Sequence, residues 1–142
     1  MRDGVSPSCV VLPAHHAAPL LDRLATHLPV VGRDEWLARM LAGDVVDALG
    51  LPVHPEQVVK GSVRLFYYRH LPGEPELPFE HEVLYQDEHL LVADKPHFMP
   101  VTPTGRYVQQ SLLVRLKRQL GLPDLSPLHR IDRDTAGLVL FS

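Results

Sequence analysis

Leu128-His129-Arg130-Ile131-Asp132-Arg133-Asp134-Thr135-Ala136-Gly137-Leu138-Val139-Leu140-Phe141-Ser142 joins a charged loop directly to an apolar run. The run over residues 138–141 predicts a buried strand. Gly137, at the junction, lets the backbone turn sharply or pass close to a neighbour. The loop sets one carboxylate, Asp132, between two guanidinium groups, Arg130 and Arg133, at the mouth of that strand. Flanking cations favour an ionised acid, which suits a nucleophile or a base, and arginines suit phosphate or base contacts. The same grouping also serves as a structural ion-pair network that ties a loop to a strand.

Upstream, Asp87-Glu88-His89-Leu90-Leu91-Val92-Ala93-Asp94-Lys95-Pro96 follows Val83-Leu84-Tyr85. Two short apolar runs around a polar turn predict a hairpin, with Pro96 ending its second strand. A helix is expected from about 110 to 120, with Leu112, Leu113, Leu116 and Leu120 on one face and Gly121 at its end. Nearer the N-terminus, residues 1–17 read as an irregular lead-in. Pro19 opens a helical pattern over about 18–28, and a second helix carries Trp36, Leu37, Met40 and Leu41 on one face. Short β pieces follow, then one longer strand over residues 58–68. Residues 71–79, Leu-Pro-Gly-Glu-Pro-Glu-Leu-Pro-Phe, read as a stiff acidic spacer. The expected organisation is α+β, with an N-terminal unit over 1–70, a linker over 71–80 and a second unit over 81–142.

Composition sets bounds. The 142 residues suffice for one ordinary domain or two small ones, and 45% hydrophobic with 22% charged content is globular. Net charge is −3, which alone argues against a nucleic-acid partner. Its distribution argues otherwise: Glu74, Glu76 and Glu80 stand in a stretch without Lys or Arg, whereas residues 95–123 hold Lys95, Arg106, Arg115, Lys117 and Arg118 and no acid. That stripe reads either as a solvated helix face or as a phosphate-contacting surface. One cysteine, Cys9, excludes an intrachain disulfide and favours an intracellular, cytoplasmic setting. No apolar run reaches the length of a membrane span, and no signal-peptide pattern opens the chain. The adjacent His15 and His16 cannot share a helix face, and no metal-ligand spacing is present.

The run from His129 to Leu140 closely resembles the signature of the RluA family of RNA pseudouridine synthases. That signature is His-Arg-Leu-Asp, two variable residues, Thr-Ser-Gly-Leu and then apolar residues. Here Ile131 stands for Leu and Ala136 for Ser. The protein-kinase His-Arg-Asp loop differs, because its Asp comes one residue earlier and is followed by an Asn that is absent here. Asp94-Lys95-Pro96 resembles the family's second landmark, a strand ending in Asn/Asp-Lys-Pro. The family continues with Ala/Ser-Gly-Leu-Pro, whereas this chain has His97-Phe98-Met99-Pro100 and lacks the glycine.

The resemblance implies the first part of a mixed-sheet catalytic domain over 81–142, preceded by a helix-plus-hairpin unit similar to S-four-like RNA-binding domains. Residues 33–69 balance Arg33, Arg39, Lys60, Arg64 and Arg69 against Asp34, Glu35, Asp44, Asp47 and Glu56, so a packing or interaction role for that unit stands beside RNA binding. Asp132 would be the catalytic carboxylate, either attacking the ribose or removing its 2′ hydrogen. Arg130 would fill the gap left by the flipped uridine. His129, Arg133, Lys95, Arg106, Arg115, Lys117 and Arg118 would contact RNA, with Thr135 and Gly137 supporting the loop, while Asp134, at a variable position, has no catalytic role. No cofactor and no metal is implied, and the partner would be ribosomal or transfer RNA. The chain reads as the N-terminal portion of a synthase, since the family's base-stacking Tyr and the basic residue near the catalytic Asp lie beyond residue 142. The competing reading is a catalytically incomplete module that only binds RNA or a protein.

Overall fold

The structure, a computed structural model, describes residues 1–14, 17–69, 71 and 73–142. His15 and His16, with Pro72 of the expected linker, lie outside the described residues. The chain forms two compact units, Pro7–Arg69 and a second unit made of Met1–Ser6 with His70–Ser142. Helices and antiparallel sheets are present in mixed order, as the α+β reading expects.

In Pro7–Arg69, β1 (Ser8–Leu12), β5 (Val63–Tyr67) and β3 (Val45–Val46) form one antiparallel sheet in that order, and β2 (Ala18–Pro19) pairs with β4 (Val58–Val59). Helices α1 (Leu20–His27) and α2 (Arg33–Leu41) pack with them around Leu12, Leu20, Leu24, Trp36, Met40 and Leu65. Trp36 is fully buried, edge-on to Tyr67 at 5.1 Å. Two expectations need correction. The lead-in over 1–17 contains β1, whose alternate residues Val10 and Leu12 are buried against β5. The strand over 58–68 is two strands. Gly61, at φ +88, turns the chain between them, and the buried Arg23 guanidinium donates to the carbonyls of Val59 and Gly61.

In the second unit, β6 (Glu82–Gln86), β7 (Leu91–Lys95) and β8 (Gly137–Phe141) form an antiparallel sheet in that order. The Asp87 carboxylate accepts the N–H groups of His89 and Leu90 and so fixes the hairpin turn. Helix α3 (Leu112–Leu120) covers the sheet, burying Leu112 and Leu116 with Leu91, Val139 and Phe141. Val114, also buried, instead packs with Val5 and Val108. Gly121 ends α3 in the left-handed conformation. The outer edge of β8 is occupied rather than open: Ser126 and Leu128 pair with Ser142 and Leu140.

Residues 73–80 are tied to the second unit rather than forming a free spacer. The Glu74 carboxylate accepts the backbone N–H groups of Val108 at 2.7 Å, Gln109 at 2.9 Å and Gln110 at 2.8 Å, just ahead of α3. The Arg115 guanidinium donates to the carbonyls of Leu77 and Phe79, both at 2.8 Å. Pro75 and Pro78 disfavour helix here, and one acid with one guanidinium hold the strap to residues in and just ahead of α3. Glu74→Ala should lower the stability of this unit by about 2 kcal/mol, because three donors lose a charged acceptor. Glu76→Ala, at an exposed neighbour, should stay within roughly 0.5 kcal/mol. Thermal unfolding of the two variants checks this, and equal effects would return the strap to a spacer.

Candidate active site

The cleft that holds Asp132 is built from two loops. Residues 100–104 supply Pro100, Val101, Thr102 and Thr104, residues 130–133 supply Arg130, Ile131, Asp132 and Arg133, and the volume is about 440 Å³. Helix α3 fixes the first wall, since its first N–H groups, of Leu112 and Leu113, donate to the carbonyls of Pro100 and Val101 at 2.9 Å. The second wall is a turn in which the Thr135 N–H donates to the Asp132 carbonyl at 3.1 Å. Ile131 packs its side chain onto the second unit's core. Gly137 sits at φ +145, in the region open to glycine, and pairs with Lys95 across the sheet. A second cleft in this unit is lined by Asp87, Glu88 and Asp124 and would repel phosphate.

Lys95 joins the two walls. It is fully buried, and its Nζ donates to the carbonyls of Pro96 at 2.9 Å, Met99 at 2.6 Å and Arg133 at 3.0 Å. Burial lowers its pKa from the ordinary lysine value, and the nearby Asp134 charge opposes that shift. A second tie runs beside it: His97 Nδ1 donates to the Asp134 carbonyl at 2.8 Å. Phe98, where the family signature has glycine, takes φ +67. An L-residue thus occupies a left-handed backbone position, at a cost of about 1–2 kcal/mol, and the bonds of Lys95 on either side hold it.

Several expected site residues stand elsewhere. Lys95 is interior and offers RNA no ammonium, so its expected role as a contact gives way to a structural one. Lys117 is also buried, and Arg115 is engaged by the strap. Arg118 is exposed but lines a different cleft with Glu76 and Glu80. The expected basic stripe therefore does not form one surface. Arg106 is exposed, over the Tyr107 ring at 5.3 Å on the small hairpin of Thr104 and Tyr107. His129 Nε2 accepts the Leu140 N–H at 3.1 Å, so the ring braces β8.

Asp132 is not clamped between two cations. Arg133 Nε donates to Asp134 Oδ1 at 2.8 Å. That bond and the Asp134 charge raise the Arg133 pKa above its ordinary value, with a lesser contribution from Tyr107. Asp132 is exposed and, among the described residues, has no ion pair, while Arg130 lines the same cleft. Sequence reading missed His97, Phe98 and the lining residues Thr102 and Thr104. The missing glycine was the one signal pointing to Phe98.

Lys95→Met should destabilise the second unit by roughly 3 kcal/mol, because three carbonyls lose a charged donor inside the fold. Denaturant unfolding measures it, and a loss below that of an exposed lysine substitution would contradict the buried role.

The family described as RNA pseudouridylate synthase matches residues 89–142, which contain Lys95, both walls of the cleft and Asp132. A protein of Synechocystis sp. named as an uncharacterized RNA pseudouridine synthase is 37% identical over 108 residues, which cover 76% of this chain and 37% of that protein. RNA pseudouridine synthase 5 of Arabidopsis thaliana is 29% identical over 122 residues, 79% of this chain and 32% of its own length. The mitochondrial tRNA pseudouridine(32) synthase of Saccharomyces cerevisiae is 36% identical over 75 residues, 53% of this chain and 16% of its own length. The matched part of the chain thus covers between 16% and 37% of the length of these curated relatives. With the matched residues holding the Asp132 loop, the strand behind it and the lysine beneath it, the chain belongs to the RNA pseudouridine synthase family, of the RluA type.

Proposed function

We propose that the protein carrying this chain isomerises uridine to pseudouridine in structured RNA, ribosomal or transfer, with Asp132 as the catalytic carboxylate. The observation that supports this reading is the position of Asp132. Its carboxylate is exposed on the wall of a cleft of about 440 Å³, shared with the guanidinium of Arg130. The reaction breaks the bond between ribose and the base nitrogen, turns the uracil and rejoins it through carbon 5; the carbon 5 hydrogen leaves as a proton and the freed ring nitrogen takes one up. No cofactor is consumed. Asp132 either attacks the ribose or takes its 2′ hydrogen, and an uncommitted carboxylate in the cleft serves both. Arg130 and Arg133, at the rim, suit the phosphates or the space vacated by a flipped base. Flipping costs a few kcal/mol and least in an unpaired loop, which favours a loop uridine as the target. The yeast relative's name points to transfer RNA for that relative, and transfer RNA is the first substrate to try.

Pro7–Arg69 enters this reading as an accessory unit. Its two helices and antiparallel strands suit the S-four-like assignment. However, Arg33 is paired with Asp22, and Arg39 with Glu35, which removes free cations from the helix surfaces. A packing role is therefore the better reading for it.

Asp132→Asn should reduce release of label from RNA uridine tritiated at carbon 5 by at least about a hundredfold, the scale of a positioned acid or base. Stability should change by no more than roughly 0.5 kcal/mol, as for an exposed side chain. Near-parental release in this variant would refute the assignment. Absent release with intact RNA binding in the parent chain would favour a module that only binds.

A further inference from the structure

Beside the Asp132 cleft, two large apolar rings face water together. Phe98 is 49% exposed and Phe79 38% exposed, with ring centroids 5.8 Å apart and planes tilted by 48°. The His97 ring lies 5.9 Å from Phe98. Both phenylalanine backbones are held. Lys95 takes the carbonyls of Pro96 and Met99 on either side of His97 and Phe98, and Arg115 takes the Phe79 carbonyl. Phe98 is displayed from a backbone at φ +67 that disfavours any side chain, so the fold keeps this ring against a local penalty. The mount connects to the cleft. His97 is bonded to the Asp134 carbonyl, and Pro100, two residues on from Phe98, lines the cleft with Arg130 and Arg133.

We propose that Phe98, with Phe79 beside it, is a stacking platform for an unpaired nucleobase of the RNA bound at the Asp132 cleft, next to the reacting uridine. The proposal rests on the RNA reading given above. Exposed aromatic rings next to a cleft lined by guanidinium groups are a combination that holds single-stranded RNA, the cations on phosphate and the rings on base faces. Stacking is sequence-tolerant, so the platform sets the position of the neighbouring base without reading its identity. The fixed loop makes it preorganised, and the His97 bond keeps it in register with the turn that bears Asp132.

The test uses the full chain and a stem-loop RNA with uridines in the loop and one 2-aminopurine beside them. The parent should bind and quench the 2-aminopurine fluorescence. Phe98→Gly removes the ring and fits the left-handed backbone, so it should fold with an unchanged or raised melting temperature. It should weaken binding about tenfold or more and lose the quench, with the salt dependence unchanged. Phe98→Tyr should restore both. Arg130→Gln, in contrast, should weaken binding and flatten the salt dependence. Parental affinity and quenching in Phe98→Gly, with Arg130→Gln impaired, would overturn the platform and leave the RNA reading standing. No binding by the parent at any salt would overturn both.

Discussion

One buried ammonium holds the candidate site together. Lys95 Nζ reaches three carbonyls, on Pro96, Met99 and Arg133, and those carbonyls belong to two loops that are distant in sequence. Removing a cation from water is expensive unless its donors are all matched, and here all three have acceptors while Asp134 supplies a nearby negative charge. The sheet register places Lys95 opposite Gly137, so the end of β7 and the start of β8 lie side by side where the loops leave them. The cleft follows from that junction. One wall is set by α3 through Pro100 and Val101, the other by the turn that closes from Asp132 to Thr135.

The same junction holds the residue at which this sequence departs from its family's signature. The left-handed position falls on Phe98, and it persists because the residues around it are bound on both sides. A local preference worth one or two kcal/mol is overridden by a charged donor and a packed hairpin. The arginines are rearranged by comparable logic. Arg133 is nearer to Asp134 than to any role beside Asp132, and Asp132 is left uncommitted in the cleft.

What could be read in the sequence was local. The apolar runs around the Asp87 turn and after Gly137, the helix ending at Gly121 and the buried Trp36 each follow from patterns within a few residues. What could not be read depends on contacts across the chain. Glu74 caps residues 34 to 36 positions away, Arg23 closes the break at Gly61 from 38 positions away, and Lys95 reaches Arg133 across 38. A charge count treats these residues as surface, because nothing in a charged residue's neighbours announces that it will be buried. The acidic strap and the basic stripe were misread for this one reason: Glu74 and Arg115 hold strap and helix together, and Lys95 and Lys117 are interior.

The dependence of the site on Lys95 is measured most directly by amide hydrogen exchange on the parent chain and on Lys95→Met. Loss of protection at Thr135, together with faster exchange across residues 97–99, is the predicted result, while Val139 and Leu140 in β8 keep their protection. Two loops that respond separately, or a variant in which neither changes, would contradict the claim that one lysine assembles the cleft around Asp132.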